Sequence, residues 1–411
     1  MNSKEFINRY GSEELKATSN FATKSLGVNY DVKDAFIEFC DNAYDGRIGN
    51  SNLEIRIDTD DINHMISIID NGTGIKDDKS LFLLGGTNKE RGKKTIGKYG
   101  IGVPGATAAI ATQCKYDNNE MVDVIYESAC NGKHFIKHTA FMPNGEMING
   151  KTKYDDCDVN NHFTKLVFTN VKINNVSEIM DEMEETYELT LKKDMSIVFN
   201  DRNLGKSKIP TFVGDETPVE IKVGNMNVNV MYRISSSKSD DERSVKECGL
   251  RIYDKNSGRL LAKSMNYWKW FCGTTAYQDI CGLRCGVFID GSLESYAKFG
   301  VMSAKNGITY RMYSNDPDFL NLKNELKRIY TIAHQTNTDN RVRDIDVKTI
   351  GTRIFRITNM KFKEFFIEGE NNEYLVKKKY SQDAIIELIN ENINLKKLLN
   401  RRTKKSKSAE I

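Results

Sequence analysis

Long apolar runs are missing from this chain of 411 residues. None approaches the roughly 18 residues a membrane-crossing helix needs, so no membrane contact is expected. The N-terminus, MNSKEFINRYGSEELK, lacks the apolar core of a secretory signal. The expected location is therefore the cytoplasm, or the nucleus in a eukaryote. An excess of one charge is missing too: Lys+Arg 60 against Asp+Glu 57 leaves +3. That excludes a protein coated in basic charge for nucleic acid. The eight cysteines include no CxxC pair, which predicts reduced thiols rather than a disulfide framework. Cys272, Cys281 and Cys285 form the tightest group, but no histidine lies near them to complete a zinc set.

What is present reads as a folded chain, 39% hydrophobic and 28% charged, long enough for two or three domains. Its most informative stretch is AFIEFCDNAYDG, Ala35 to Gly46. Glu38, Asp41, Asn42 and Asp45 fall at i, i+3, i+4 and i+7, so a helix would line them on one face. Phe36, Phe39, Cys40 and Ala43 repeat the spacing two residues earlier and give a second, apolar face suited to packing on a sheet. Next, Leu53, Ile55 and Ile57 alternate with polar residues, as do parts of Met65 to Ile69, which predicts two strands joined by an Asp/Asn turn. The second strand runs into DNGTGI, where Gly72 and Gly74 let the backbone approach a flat ligand closely. In LFLLGGTNKERGKKTIGKYGIGVPGATAAIA, glycines 97, 100 and 102 precede a small-residue helix from about Pro104. A glycine-rich turn feeding a helix N-terminus offers backbone N–H groups to anions, phosphates among them.

In this order, EFCDNAYD, DNGTGI and GKYGIGVPGA resemble the motifs of the GHKL, or Bergerat-fold, ATPase superfamily. Its members include the ninety-kilodalton heat-shock chaperones, MutL, gyrase B, MORC proteins and sensor histidine kinases. HFTKLVFTNV resembles the family's late strand carrying a threonine, here Thr164. The resemblance implies an α+β class: a Bergerat-type α/β sandwich nucleotide domain over 1–207, a ribosomal-S5-like β-α transducer over 208–345, a helical region over 346–400 and a basic tail over 401–411. It also implies ATP and Mg²⁺ as ligands. Asn42 becomes the magnesium ligand and Glu38 the general base one turn away. Asp45 supports them from outside the metal's ligands, and Asp41 is left to solvent or packing. Asp70 would accept a hydrogen bond from the adenine amino group. A guanine carbonyl would oppose that carboxylate, so ATP is expected over GTP. Gly72 and Gly74 leave room for the base, Ile75 covers it, and Thr164 shares the Asp70 hydrogen bond. Gly97, Lys98, Tyr99, Gly100, Ile101 and Gly102 would wrap the phosphates, with Asn88 and Lys89 in a mobile lid.

VSEIMDEMEETYELTL reads as an amphipathic helix and MSIVFNDRNL as a closing strand. From about Ile209, VEIKVGNMNVNVMYRI, CGLRIYDKNSGRLLAK and CGVFIDGS alternate as strands, and DPDFLNLKNELKRIYTIAHQ follows as a helix. Within them, GLRIYDKNSGRLL resembles a strand-turn-strand with a late arginine in MORC and MutL relatives. Transducers of the family return a cation to the γ-phosphate. Lys305, in FGVMSAKNGITY, takes that role, with Lys298 next in line. A sensor histidine kinase is disfavoured, because only about thirty residues precede the motif helix and histidines number 5. The expectation is a slow, Mg²⁺-dependent ATPase that closes as an ATP-dependent homodimeric clamp, with DNA or a partner protein as its further ligand. The alternatives are an ATP-gated scaffold with negligible hydrolysis and a chaperone-like ATPase. The tract QDAIIELINENINLKKLLN reads as a helix for packing on the chain or a partner.

Overall fold

Alternating and helical apolar patterns become strands and helices largely where the spacing predicts them. A computed structural model describes residues 3–11, 30–49, 52–78, 81, 102–191, 193–205, 218–234, 248–273, 280–302, 305–309, 316–344, 364–369 and 372–377. By internal contacts the chain divides into two units. One takes Met1–Met231, Gly249–Phe271 and Cys285–Leu322; the other takes Tyr232–Cys248, Cys272–Arg284 and Lys323–Ile411. The class is α+β.

The first unit opens with α1 (Ser3–Tyr10) and α2 (Val32–Asp45). Asp31 caps α2 by accepting from the Asp34 N–H at 2.7 Å, satisfying one of the donors a helix start leaves over. Strands β1 (Leu53–Asp60) and β2 (Met65–Asp70) pair antiparallel. Leu53, Ile55 and Ile57 are buried while Glu54 and Arg56 face out, the alternation a half-buried strand requires. Then come α3 (Gly102–Gln113), β3 (Val122–Cys130), β4 (Lys133–Phe141), β5 (Met147–Asn149), β6 (Lys153–Asp156), β7 (Phe163–Thr169), α4 (Val176–Thr186), β8 (Met195–Phe199) and β9 (Arg202–Leu204). Among the described residues these strands make one nine-stranded sheet in the order β5-β4-β3-β7-β2-β1-β8-β9, with β6 beside β4. The pairing of β1 with β8 is parallel.

The apolar face of α2 packs as its spacing demands. Phe36 meets Phe199 of β8 with ring centroids 5.8 Å apart, and Phe39 meets Phe168 of β7 at 6.1 Å. Beside it, α3 buries Ala106, Ala108, Ala109 and Ala111. Small side chains there let α2 and α3 run close together, and one core joins both helices to the sheet. With the apolar face spent on that core, the Glu38–Asp45 face is left for other work.

A five-stranded sheet follows, in the order β10-β11-β14-β12-β13. Its strands are β10 (Val219–Val223), β11 (Met226–Ile234), β12 (Leu250–Asp254), β13 (Leu260–Ser264) and β14 (Leu283–Ile289), with short helices α5 (Asn266–Cys272) and α6 (Leu293–Lys298) between or after them. A single 3-10 turn at Pro317–Phe319 leads into α7 (Leu320–Asp344).

In the second unit, β15 (Glu364–Gly369) and β16 (Asn372–Lys377) form an antiparallel hairpin. It occupies part of the 346–400 stretch for which a helical region is expected. Its sequence, EFFIEG and NEYLVK, is rich in the aromatic and β-branched residues that favour strands. The tract from Gln382 to Asn400, whose periodicity suggests the helix, lies outside the described residues, as does the 401–411 tail.

Candidate active site

Within the first unit, α2 turns its polar face toward a loop that follows α6. Glu38 and Asp41, one turn apart, are both buried. Two adjacent buried carboxylates are tolerable only with positive partners, and two arrive from far along the chain. Lys305 Nζ donates to Glu38 Oε2 at 3.0 Å and to Asp41 Oδ2 at 2.7 Å. Arg259 Nε donates to Asp41 Oδ1 at 2.6 Å. The Tyr187 hydroxyl lies 2.8 Å from the same oxygen and 2.7 Å from the Ile37 carbonyl. Two anions and two cations therefore balance in one buried cluster.

The electrostatics follow from that balance. Burial works against the Asp41 carboxylate, but Arg259 and Lys305 outweigh it and hold the group below the ordinary aspartate range. Burial likewise works against the Lys305 ammonium, yet Asp41 and Glu38 keep it charged, with affinity for its proton above the usual lysine value. Desolvation drives the Tyr187 phenol well upward, so it stays a donor.

Asn42 donates its amide nitrogen to the Glu38 carbonyl at 2.7 Å and to Glu38 Oε1 at 3.2 Å. These bonds turn the amide oxygen away from Glu38. Asp45, half-buried, is the last residue of α2. At the head of α3, Gly102 sits against Glu38: a methyl group there would fall on top of Glu38 Oε1. The glycine is thus required for a helix N-terminus and a carboxylate to meet.

A second group of residues gathers where β2 ends. Asp70 stands opposite Thr164 in the β2–β7 register, and the register explains why the threonine hydroxyl reaches its carboxyl. Asp70 Oδ1 also accepts from the Gly72 N–H at 2.8 Å. Burial pushes this carboxyl up to about 6, against the pull of those two hydrogen bonds. The loop beyond is tied down on both sides. Thr73 N–H donates to the Gly46 carbonyl, just past α2, at 2.6 Å. Ile75 N–H donates to Ser128 Oγ at 2.8 Å, and that hydroxyl donates to the Phe163 carbonyl at 2.8 Å. Gly74 has φ +72, and a Cβ on it would collide with the Ala129 carbonyl, so no other residue fits there. Ile75 packs against the core.

Of the residues singled out from the sequence, Glu38, Asn42, Gly102 and Lys305 meet at one point, while Asp70, Gly72, Gly74, Ile75 and Thr164 gather at the end of β2. Asn88, Lys89, Gly97, Lys98, Tyr99, Gly100 and Ile101 lie outside the described residues. Lys298 goes elsewhere: it donates to Asp316 at 2.6 Å and Asp318 at 2.7 Å. Three members of the charge cluster escaped the sequence reading. Asp41, assigned to solvent or packing, is the centre of the cluster, with no exposed surface. Arg259, its partner, is the late arginine of GLRIYDKNSGRLL, which was the available signal. Tyr187 carried none.

Among solved structures, the ATPase region of Saccharomyces cerevisiae topoisomerase II matches with a TM-score of 0.43 at 14% identity, covering 84% of this chain and 98% of that one. The same region bound to ICRF-187 (dexrazoxane) matches at 0.40 and 15%, covering 81% and 98%. A comparison with curated protein sequences gives no match. Residues 30–124 match the family model described as histidine kinase-, DNA gyrase B-, and HSP90-like ATPase. That span holds α2, the β1–β2 hairpin with its DNGTGI loop, and α3. Over residues 30–124 the chain is therefore similar to the histidine kinase-, DNA gyrase B- and HSP90-like ATPase family.

Proposed function

We propose that this chain binds ATP with Mg²⁺ and hydrolyses it slowly, and that ATP binding drives two copies together as a clamp. The observation that carries the reading is the meeting of Glu38, Asn42, Lys305 and the head of α3 at one point. A carboxylate, an amide oxygen, an ammonium and helix N–H groups are the chemistry that a metal-bound triphosphate and an attacking water require.

The residues fit the groups they would hold. Asn42 is oriented through its amide nitrogen, and an amide oxygen suits a hard cation without adding negative charge beside phosphates. With no Cβ on Gly102, the Glu38 carboxylate lies against the head of α3, where helix N–H groups favour negative charge. Asp70 offers a half-buried acceptor held by Gly72 and Thr164, suited to an amino group and unsuited to a carbonyl. Bound Mg²⁺ supplies charge neutralisation on the phosphates. Glu38 orients a water and takes its proton, and Lys305 places positive charge where negative charge develops. Gly72, Gly74, Ile75 and Thr164 shape the base site. Asn88, Lys89 and residues 97–101 are assigned to the lid and phosphate loop on their resemblance alone, and Asp45 to support of Asn42.

Glu38→Ala should keep ATP, abolish phosphate release and accumulate a dimer. Wild-type turnover in that variant would remove Glu38 from the base role. A second reading is favoured by the Lys305–Glu38 ion pair, which engages the proposed base: an ATP-gated scaffold for DNA or a partner protein with negligible hydrolysis. Phosphate release over hours, with and without DNA, separates the two.

A further inference from the structure

Lys305 is gripped at both ends, and the grip converges on one carboxylate. Its ammonium is bonded to Asp41 more closely than to Glu38. Its backbone carbonyl accepts from Arg259 Nη1 at 3.1 Å, while Nε of the same guanidinium holds Asp41. Lys305 also takes a left-handed backbone, φ 54, a conformation that a non-glycine residue keeps only when its surroundings impose it. The next residue continues the docking: Asn306 Nδ2 donates to Asp34 Oδ2, in the first turn of α2, at 2.7 Å.

Asp41 itself cannot swing. Oδ1 is claimed by Arg259 and Tyr187, Oδ2 by Lys305, and the side chain has no exposed surface. Glu38 differs, since it faces Gly102 and Asn42 as well as Lys305. Of the two carboxylates that hold the ammonium, Asp41 is the fixed one and Glu38 the exchangeable one.

We propose that Asp41 is the positioning residue for Lys305: locked by Arg259 and Tyr187, it keeps the ammonium on a pivot from which the Glu38 contact is traded for an incoming anion. The inference rests on the nucleotide site proposed above and adds a step to it. An anion arriving beside Glu38 takes over the hydrogen bond from Lys305 that Glu38 gives up, while the Asp41 bond persists. Neutralising the anion and releasing the base then become one event, so the base is released only when there is a phosphate to act on. No covalent bond changes; one hydrogen bond is exchanged for another.

The test needs variants that fold. Asp41→Asn alone strands the Arg259 charge in the interior, so the informative protein is Asp41→Asn/Arg259→Gln, in which both partners become neutral. Brief acetylation of nucleotide-free protein by acetic anhydride, read by mass spectrometry, reports the freedom of each lysine. Lys137, buried against Asp78, is the internal control. Lys305 should become at least tenfold more reactive relative to Lys137 in the double variant, and less so in Arg259→Gln alone, where Asp41 keeps its charge. In the double variant kcat should fall at least tenfold, with the calorimetric Kd for Mg²⁺-ATP within threefold. Unchanged Lys305 protection, or kcat within twofold of wild type, would overturn the proposal. If the double variant does not fold, Tyr187→Phe removes one donor from Asp41 and no charge. It should raise Lys305 reactivity about threefold, and no rise would count equally against the pivot. The acetylation arm uses no nucleotide, so it judges the placement of Lys305 even if the chain binds no ATP. Failure of the ATP site would instead appear as absent binding by the wild-type protein.

Discussion

Asp70 keeps its proton to a higher pH than most aspartates do. Its folded carboxyl titrates at about 6, while an unfolded aspartate titrates near 4. Between those values the native protein binds more protons than the unfolded chain, so this residue's contribution to stability falls as pH rises through that window. Asp70→Asn removes the buried charge and should stabilise the nucleotide-free protein at pH 7.5 by about 1–3 kcal/mol, with a flatter dependence between pH 4 and 6. Urea denaturation at several pH values measures both effects. Gly102 makes a complementary point about space. In Gly102→Ala the new methyl drives the Glu38 carboxyl from its position, so turnover should fall by about 100-fold. Steady-state phosphate release beside ATP calorimetry, with affinity kept, checks this.

Elements rather than single residues bring the two halves of the site into register. The DNGTGI loop is fastened to the end of α2 through Thr73 and to β3 through Ser128. Ser128→Ala would leave the Ile75 N–H without its acceptor and the Phe163 carbonyl without the hydroxyl that donates to it, costing about 1–3 kcal/mol of stability by thermal or urea unfolding. Much at this scale was legible in the sequence. The two faces of α2, the β1 alternation and the presence of strands after residue 218 follow from apolar spacing, which the backbone geometry of each element fixes locally. The charge cluster was not legible in the same way. Spacing shows that Asp41 shares a face with Glu38, but its partner Arg259 lies 218 residues later, and nothing local pairs the two. The Thr164–Asp70 hydrogen bond depends on the β2–β7 register, which no local pattern sets. Helices α5 and α6 span 7 and 6 residues, too short for a helical period to stand out. The hairpin at β15–β16 sits in a stretch whose predicted helix rested on a tract further along.

At the scale of the molecule, the proposed clamp makes mass depend on nucleotide. Light scattering should show the mass of one chain, 46.8 kDa, without nucleotide, and a doubled mass with a non-hydrolysable ATP analogue and Mg²⁺. Repeating it with DNA asks whether that dimer encloses a second ligand. A net charge of only +3 predicts that DNA association by the nucleotide-free chain is weak and lost readily with salt. No helix among the described residues is long and apolar enough to cross a membrane.

The residues on α2 and the aspartate ending β2 belong, in this account, to one nucleotide site. Isothermal titration of Mg²⁺-ATP into wild-type protein and into Asp70→Asn tests that most directly, because it requires neither turnover nor dimerisation. The account predicts saturable binding of ATP by the wild type, no comparable binding of GTP, and a loss of at least about tenfold in ATP affinity in the variant. Equal affinities for ATP in the two proteins, or no binding to the wild type at all, would contradict it.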